Sequence, residues 1–116
     1  MIRGISASTN GQLAHFERSR GLPVGEVAHA FHRWSSLARR PRRDLAPFYG
    51  YDQGNLECGY YNVRTLLEIV LHALPKRARR ELHALLAPVD AQILRRTAHN
   101  PFAPPDLPWW KRRIEL

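Results

Sequence analysis

The chain has 116 residues, 44% of them hydrophobic, and a formal net charge of +8 from 18 basic against 10 acidic residues. That length supports one ordinary hydrophobic core and excludes two large ones. No apolar run reaches the length of a membrane span, the N-terminus lacks the apolar stretch of a secretory signal, and a single cysteine, Cys58, excludes an intrachain disulfide and a cysteine zinc cluster.

Residues 1–10 read as irregular. Ser8, Thr9 and Asn10 are candidate caps for a short helix over 11–20, with Leu13 and Phe16 on its apolar side and Gly21 stopping it. A turn, Gly21-Leu22-Pro23, leads into a helix over about residues 24–40. Val27, Phe31 and Trp34 recur there at i, i+4, i+7, with Ala30, Leu37 and Ala38 flanking them. Glu26 near its start and Arg39 and Arg40 near its end suit the helix dipole, and Pro41 ends it.

Residues 41–60 read as a loop in which tyrosines and Phe48 alternate with turn-forming residues. About 20 residues without regular structure is long for a compact domain, so the aromatics either pack the loop down or form a functional surface. The next helix covers about 62–74, capped by Asn62. Leu66, Leu67, Ile69, Val70, Leu71, Ala73 and Leu74 surround most of it, leaving Arg64, Glu68 and His72 as a polar stripe at i, i+4, i+8. Such a helix belongs at the centre of a bundle or in a dimer interface.

Pro75 suits the first turn of the following helix. Its apolar line runs through Ala78, Leu82, Leu85 or Leu86, Val89 and Ile93 and keeps phase across Pro88, which predicts one kinked helix over 76–97 or two end to end. Asp90 is placed to favour a new N-terminus after Pro88. From 98 to 116 four prolines up to Pro108 forbid regular helix and predict an extended, partly polyproline-like tail carrying Trp109 and Trp110. The expected architecture is mainly α: a small irregular bundle of about four helices with a long aromatic-rich loop and an extended Pro/Trp C-terminal tail. The division is a basic helical domain over 1–98 and a tail over 99–116 docked on that domain or on a partner.

Sixteen of the 18 basic residues are arginines, which fork onto phosphate or carboxylate better than lysine. They cluster at Arg39-Arg40-Pro41-Arg42-Arg43, at Lys76-Arg77-Ala78-Arg79-Arg80 and at Lys111-Arg112-Arg113. The second cluster opens a helix, where cations oppose the dipole and a bound anion would relieve the cost. Arg39, Arg40, Arg42, Arg43, Lys76, Arg77, Arg79 and Arg80 are therefore candidate contacts to a nucleic-acid backbone. The plainer alternatives are an acidic protein surface or simple solubility. There is no helix-turn-helix spacing, zinc-finger spacing or phosphate loop, so backbone contact is favoured over base reading. Tyr49, Tyr51, Tyr60 and Tyr61 are stacking candidates, although packing of the loop is the simpler reading.

Trp109 and Trp110 before Lys111, Arg112 and Arg113 have the composition of a protein-interface anchor. The competing reading folds the tail back onto the helical core; three prolines nearby argue against a membrane-surface helix there. His29 and His32 with Glu26 lack the further ligands of a metal site, Cys58 has no base dictated by spacing, and Glu68–His72 reads as a helix-surface pair rather than an acid–base couple. Asp44, Asp52 and Glu57 are too scattered for a paired-carboxylate site. The expectation is a cytoplasmic, non-catalytic binding protein without metal or cofactor. It contacts nucleic acid or a nucleic-acid-containing complex, or, as the alternative, acts as an adaptor binding a protein through its Trp/Arg tail and apolar helix 62–74.

Overall fold

The computed structural model describes residues 2–39 and 59–115. In chain order these form α1 (Ala7–Ser19), α2 (Glu26–Arg39), α3 (Gly59–Ala73), α4 (Lys76–Arg96), β1 (Thr97–His99), a 3-10 turn (Trp109–Lys111) and β2 (Arg113–Glu115). The expected aromatic loop, apart from its last two residues, lies outside the described residues. The four helices form a mainly helical bundle.

α1 begins earlier than its cap candidates predicted. Ser6, not Ser8, Thr9 or Asn10, caps it, its hydroxyl accepting the Thr9 amide at 3.1 Å. Thr9 is buried, and Asn10 instead exchanges hydrogen bonds with the Ile2 backbone, amide to Oδ1 at 3.1 Å and Nδ2 to carbonyl at 3.2 Å. Ile2 is thereby pinned in the core. α1 ends as predicted at Gly21, whose φ of +67° favours glycine. The Leu22 amide donates to the Glu17 carbonyl at 2.8 Å and the Gly21 amide to the Arg18 carbonyl at 3.3 Å, the pairing of a Schellman stop.

The connection from α1 to α2 is tied by Glu17. Its carboxylate, buried, accepts from the Gly25 amide at 3.1 Å and the Val27 amide at 2.9 Å and so serves as the N-terminal cap of α2. The predicted apolar line of α2 is inside: Val27, Ala30, Trp34, Leu37 and Ala38 are buried, and Phe31 packs at their edge.

α3 starts at Gly59, before the predicted cap Asn62. It lies chiefly against α2, with Val63, Leu67, Val70, Leu71 and Leu74 buried. α4 is one continuous helix through Pro88. The proline leaves the Ala84 carbonyl without its helical donor, and because Ala84 and Pro88 are both exposed, water can satisfy it. Ala78, Leu82, Leu86 and Ile93 of α4 close the core.

The tail, expected to be extended and partly polyproline-like, is instead two short strands joined by turns. β1 and β2 pair antiparallel, Thr97 opposite Glu115 and His99 opposite Arg113, and the Asn100 amide donates to the Arg112 carbonyl at 2.7 Å. The intervening segment is a chain of tight turns: Ala103 donates back to Asn100 and Leu107 to Pro104, each at 3.2 Å. Their result is that Trp110 enters the same core cluster as Trp34, Leu67 and Ile93.

Candidate interaction surface

Within the bundle, the apolar stripes of α3 and α4 each carry one ion. Arg64 precedes Leu67 and Leu71 by three and seven residues, and Asp90 follows Leu86 by four and precedes Ile93 by three, so both face inward. They meet in a two-pronged pair: Arg64 Nε to Asp90 Oδ1 at 3.0 Å and Nη2 to Oδ2 at 2.9 Å. Asp90 Oδ1 also accepts from Trp34 Nε1 at 2.8 Å, which joins α2 to the pair. The third side of the guanidinium, Nη1, donates to Glu68 at 3.0 Å.

The tail closes over this group. The Arg64 guanidinium carbon stands 4.5 Å from the Trp110 ring centroid and 5.8 Å from that of Trp109. Trp110 Nε1 donates to the Thr65 hydroxyl at 3.1 Å. Trp109 and Trp110 meet edge to face with centroids 5.9 Å apart, and Trp109 lies 6.4 Å from Trp34. A single arginine thus ties α3, α4, α2 through Trp34, and the tail. Its donors are engaged by carboxylates and its face by rings, so the group holds structure together.

Glu68 also receives His72 Nε2 at 2.8 Å. Burial pushes the Glu68 carboxyl up, but the hydrogen bonds and charges of Arg64 and His72 outweigh it and leave its pKa below the ordinary value. The predicted stripe Arg64, Glu68, His72 is therefore a connected set, but it runs from the core at Arg64 to the exposed His72.

The basic clusters divide by role. Arg79 donates to the Leu71 carbonyl at 2.9 Å and the Leu74 carbonyl at 3.2 Å, and so stabilises the end of α3. Arg113 donates to the Thr97 hydroxyl at 2.8 Å, the Thr97 carbonyl at 2.6 Å and the Leu94 carbonyl at 3.1 Å, at the end of α4. Burial lowers its pKa without removing its charge. Arg96 donates to the Ala38 carbonyl near the end of α2, and Arg39 Nε to the Ser35 carbonyl at 3.4 Å. Cations at helix C-termini answer both the unpaired carbonyls and the dipole.

Lys76, Arg77 and Arg80 are exposed around the start of α4, where Pro75 supplies no side-chain cap. Arg77 lies 3.8 Å from Glu81. Glu81 in turn accepts the Ser6 amide at 2.7 Å, the main reason its pKa is lowered. Lys111 and Arg112 are half-buried, with Arg112 Nη1 on the Pro105 carbonyl at 3.5 Å. Arg40, Arg42, Arg43, Tyr49, Tyr51 and Cys58, with Asp44, Asp52 and Glu57, lie outside the described residues, as do the side chains of Tyr60 and Tyr61. His29 and His32 are exposed, and among the described residues no group of histidines, cysteines and carboxylates could hold a metal ion. No helix among those residues is long and apolar enough to cross a membrane.

Large apolar side chains also face solvent. Phe102 is 86% exposed, while Ile69 on α3 and Leu94 on α4 are less so. Phe102 stands on a turn in which its own amide donates to Asn100 Oδ1 at 3.0 Å. Sequence reading concentrated on the tryptophans and missed Phe102. The usable signal was its place between Pro101 and Ala103 in a proline-rich turn, where no helical or strand period offers it a core position. Comparison with protein-family models, curated proteins and solved structures returned no match for this chain.

Proposed function

We propose that this chain is a small non-catalytic adaptor that binds another protein through its C-terminal tail and the exposed Ile69 of α3, the rest of whose apolar face is taken up by the bundle core. The observation that carries this reading is the display of Phe102, 86% exposed, on a tail tied at both ends. A large ring held on a rigid turn costs little conformational entropy to dock, and aromatic anchors dominate interface energies. Exposed Pro101 and Pro105 stiffen the same turn. In this reading Trp110 and Trp109 serve binding indirectly, by seating the tail, and Ile69 and Leu94 extend the apolar contact.

The test is capture on immobilised full-length protein from nuclease-treated extract. A stoichiometric partner retained by wild type and by Arg77→Gln/Arg80→Gln, but lost with Phe102→Ala, supports the adaptor. A partner indifferent to Phe102→Ala and Ile69→Ser overturns it.

Contact with nucleic-acid backbone is the second reading, favoured by exposed Lys76, Arg77 and Arg80 around an α4 start that lacks a capping side chain. It uses fewer cations than the full clusters, because Arg39 and Arg79 point hydrogen bonds at helix carbonyls. Binding that weakens steeply with salt, with a slope reduced in Arg77→Gln/Arg80→Gln, would favour it.

A further inference from the structure

Between α1 and the start of α2 runs an open apolar groove of about 410 Å³. Ile2, Leu13 and Val27 are buried at it, and Gly11, Ala14 and Ala28 add little bulk to its lining. The glycines keep it open: a Cβ built on Gly11 or on Gly25 meets no atom within 4 Å. Val24, which also lines it, is 94% exposed and stands there without covering it. The one carboxylate at the groove, Glu17, is already committed to the Gly25 and Val27 amides and offers nothing to a ligand.

The surroundings are basic. Residues 2–39 hold two acids, Glu17 and Glu26, against Arg3, Arg18, Arg20, Arg33 and Arg39. Arg3, Arg18 and Arg20 are exposed on α1 and its flanks, while the acids near them are Glu17, buried, Glu26, half-buried, and Glu81, which is held on the Ser6 amide. A complementary occupant supplies apolar side chains to the groove and negative charge to its rim. A second copy of this chain, itself carrying +8, supplies the wrong charge. We propose that the α1–α2 groove docks an acidic amphipathic helix of a partner protein, its apolar ridge lying over Gly11 and Ala14 and its carboxylates reaching Arg3 and Arg18. This surface is distinct from the tail, so the two can fail separately.

The experiment is fluorescence anisotropy of full-length protein with a labelled helical peptide of about 18 residues, long enough to populate a helix alone. It has leucines on one face and glutamates on the other; a control peptide replaces every glutamate with lysine. The acidic peptide is expected to bind in a salt-dependent way and the lysine peptide not to bind. Gly11→Leu puts bulk into the groove from a position whose Cβ meets no atom within 4 Å, and leucine suits a helix better than glycine. It is expected to retain the wild-type circular dichroism and thermal transition yet weaken the peptide at least about tenfold. Arg3→Gln/Arg18→Gln should weaken it as well, while Phe102→Ala leaves it unchanged. Absence of acidic-peptide binding to wild type, equal affinity for both peptides, or undiminished binding to Gly11→Leu overturns the proposal. A wild-type dimer in sedimentation that Gly11→Leu dissociates would assign the groove to a second copy and overturn it too.

Discussion

Arg64 of α3 and Asp90 of α4 form a two-pronged ion pair, at 3.0 and 2.9 Å, inside the apolar contact between their helices. Removing one member leaves the other charged and largely without water, a loss of up to about 3–5 kcal/mol, eased for Arg64 by its remaining bond to Glu68. Asp90→Ala and Arg64→Met should each lower urea-unfolding stability on that scale. The double variant Arg64→Met/Asp90→Leu should lose less than the two single losses combined, because neither charge is then stranded. Additivity in that double-mutant cycle would mean that the pair contributes nothing as a pair.

Trp110 and Phe102 share a tail but should respond in opposite ways. Trp110 is buried and bonded to Thr65, so Trp110→Ala should cost about 3–5 kcal/mol in chemical unfolding. Phe102 contributes little to the core, and Phe102→Ala should stay within about 0.5 kcal/mol of wild type. Partner capture is expected to reverse the emphasis: Phe102→Ala loses it while fully folded. A Phe102→Ala protein that unfolds early would make Phe102 a structural residue.

The local half of this architecture was legible in the amino-acid order. The apolar lines of α2 and α4 hold, with Phe31 and Val89 half-buried at the edge of the core, because periodicity is a property of one helix, and Gly21 stops α1 because its backbone conformation is local. What escaped depends on distant partners. Ser6 could not be told from Ser8 as a cap without Glu81, 75 residues away, holding the Ser6 amide. Asp90 carried a plausible local role after Pro88, yet its partners lie 26 and 56 residues back at Arg64 and Trp34. The same holds for arginines read as outward clusters: Arg79 and Arg113 are aimed at helix carbonyls that only the fold brings near. The candidate site was legible as a tail rich in aromatic and basic residues, but not as a turn displaying Phe102.

Arg79 and its neighbours give a direct separation of structural from superficial cations. Arg79→Ala removes two hydrogen bonds to the α3 terminus and should cost about 0.5–1.5 kcal/mol. Arg80→Ala and Arg77→Ala, both exposed with at most the long Glu81 contact, should change stability by less than about 0.5 kcal/mol. Thermal unfolding of the three single variants decides it. Equal effects would mean that the Arg79 side chain does not hold the α3 end in solution.

Acid should loosen this protein through Glu68 and Glu81. The pKa of each is lowered from an ordinary value of 4.5, Glu68 by Arg64 and His72 against its burial and Glu81 first by the Ser6 amide. A lowered folded-state value means that the unfolded chain binds protons first as pH falls. Their contribution is therefore complete at neutral pH and is lost as pH drops through 4.5 toward the folded-state values. Urea midpoints measured between about pH 5 and about pH 2 should fall steadily for wild type. Glu68→Gln/Glu81→Gln should start from lower stability at neutral pH and fall less steeply, since two of the protons taken up on unfolding are gone. Parallel slopes for the two proteins would show that neither carboxylate is held by Arg64, His72 or Ser6 more strongly in the folded chain than in the unfolded one.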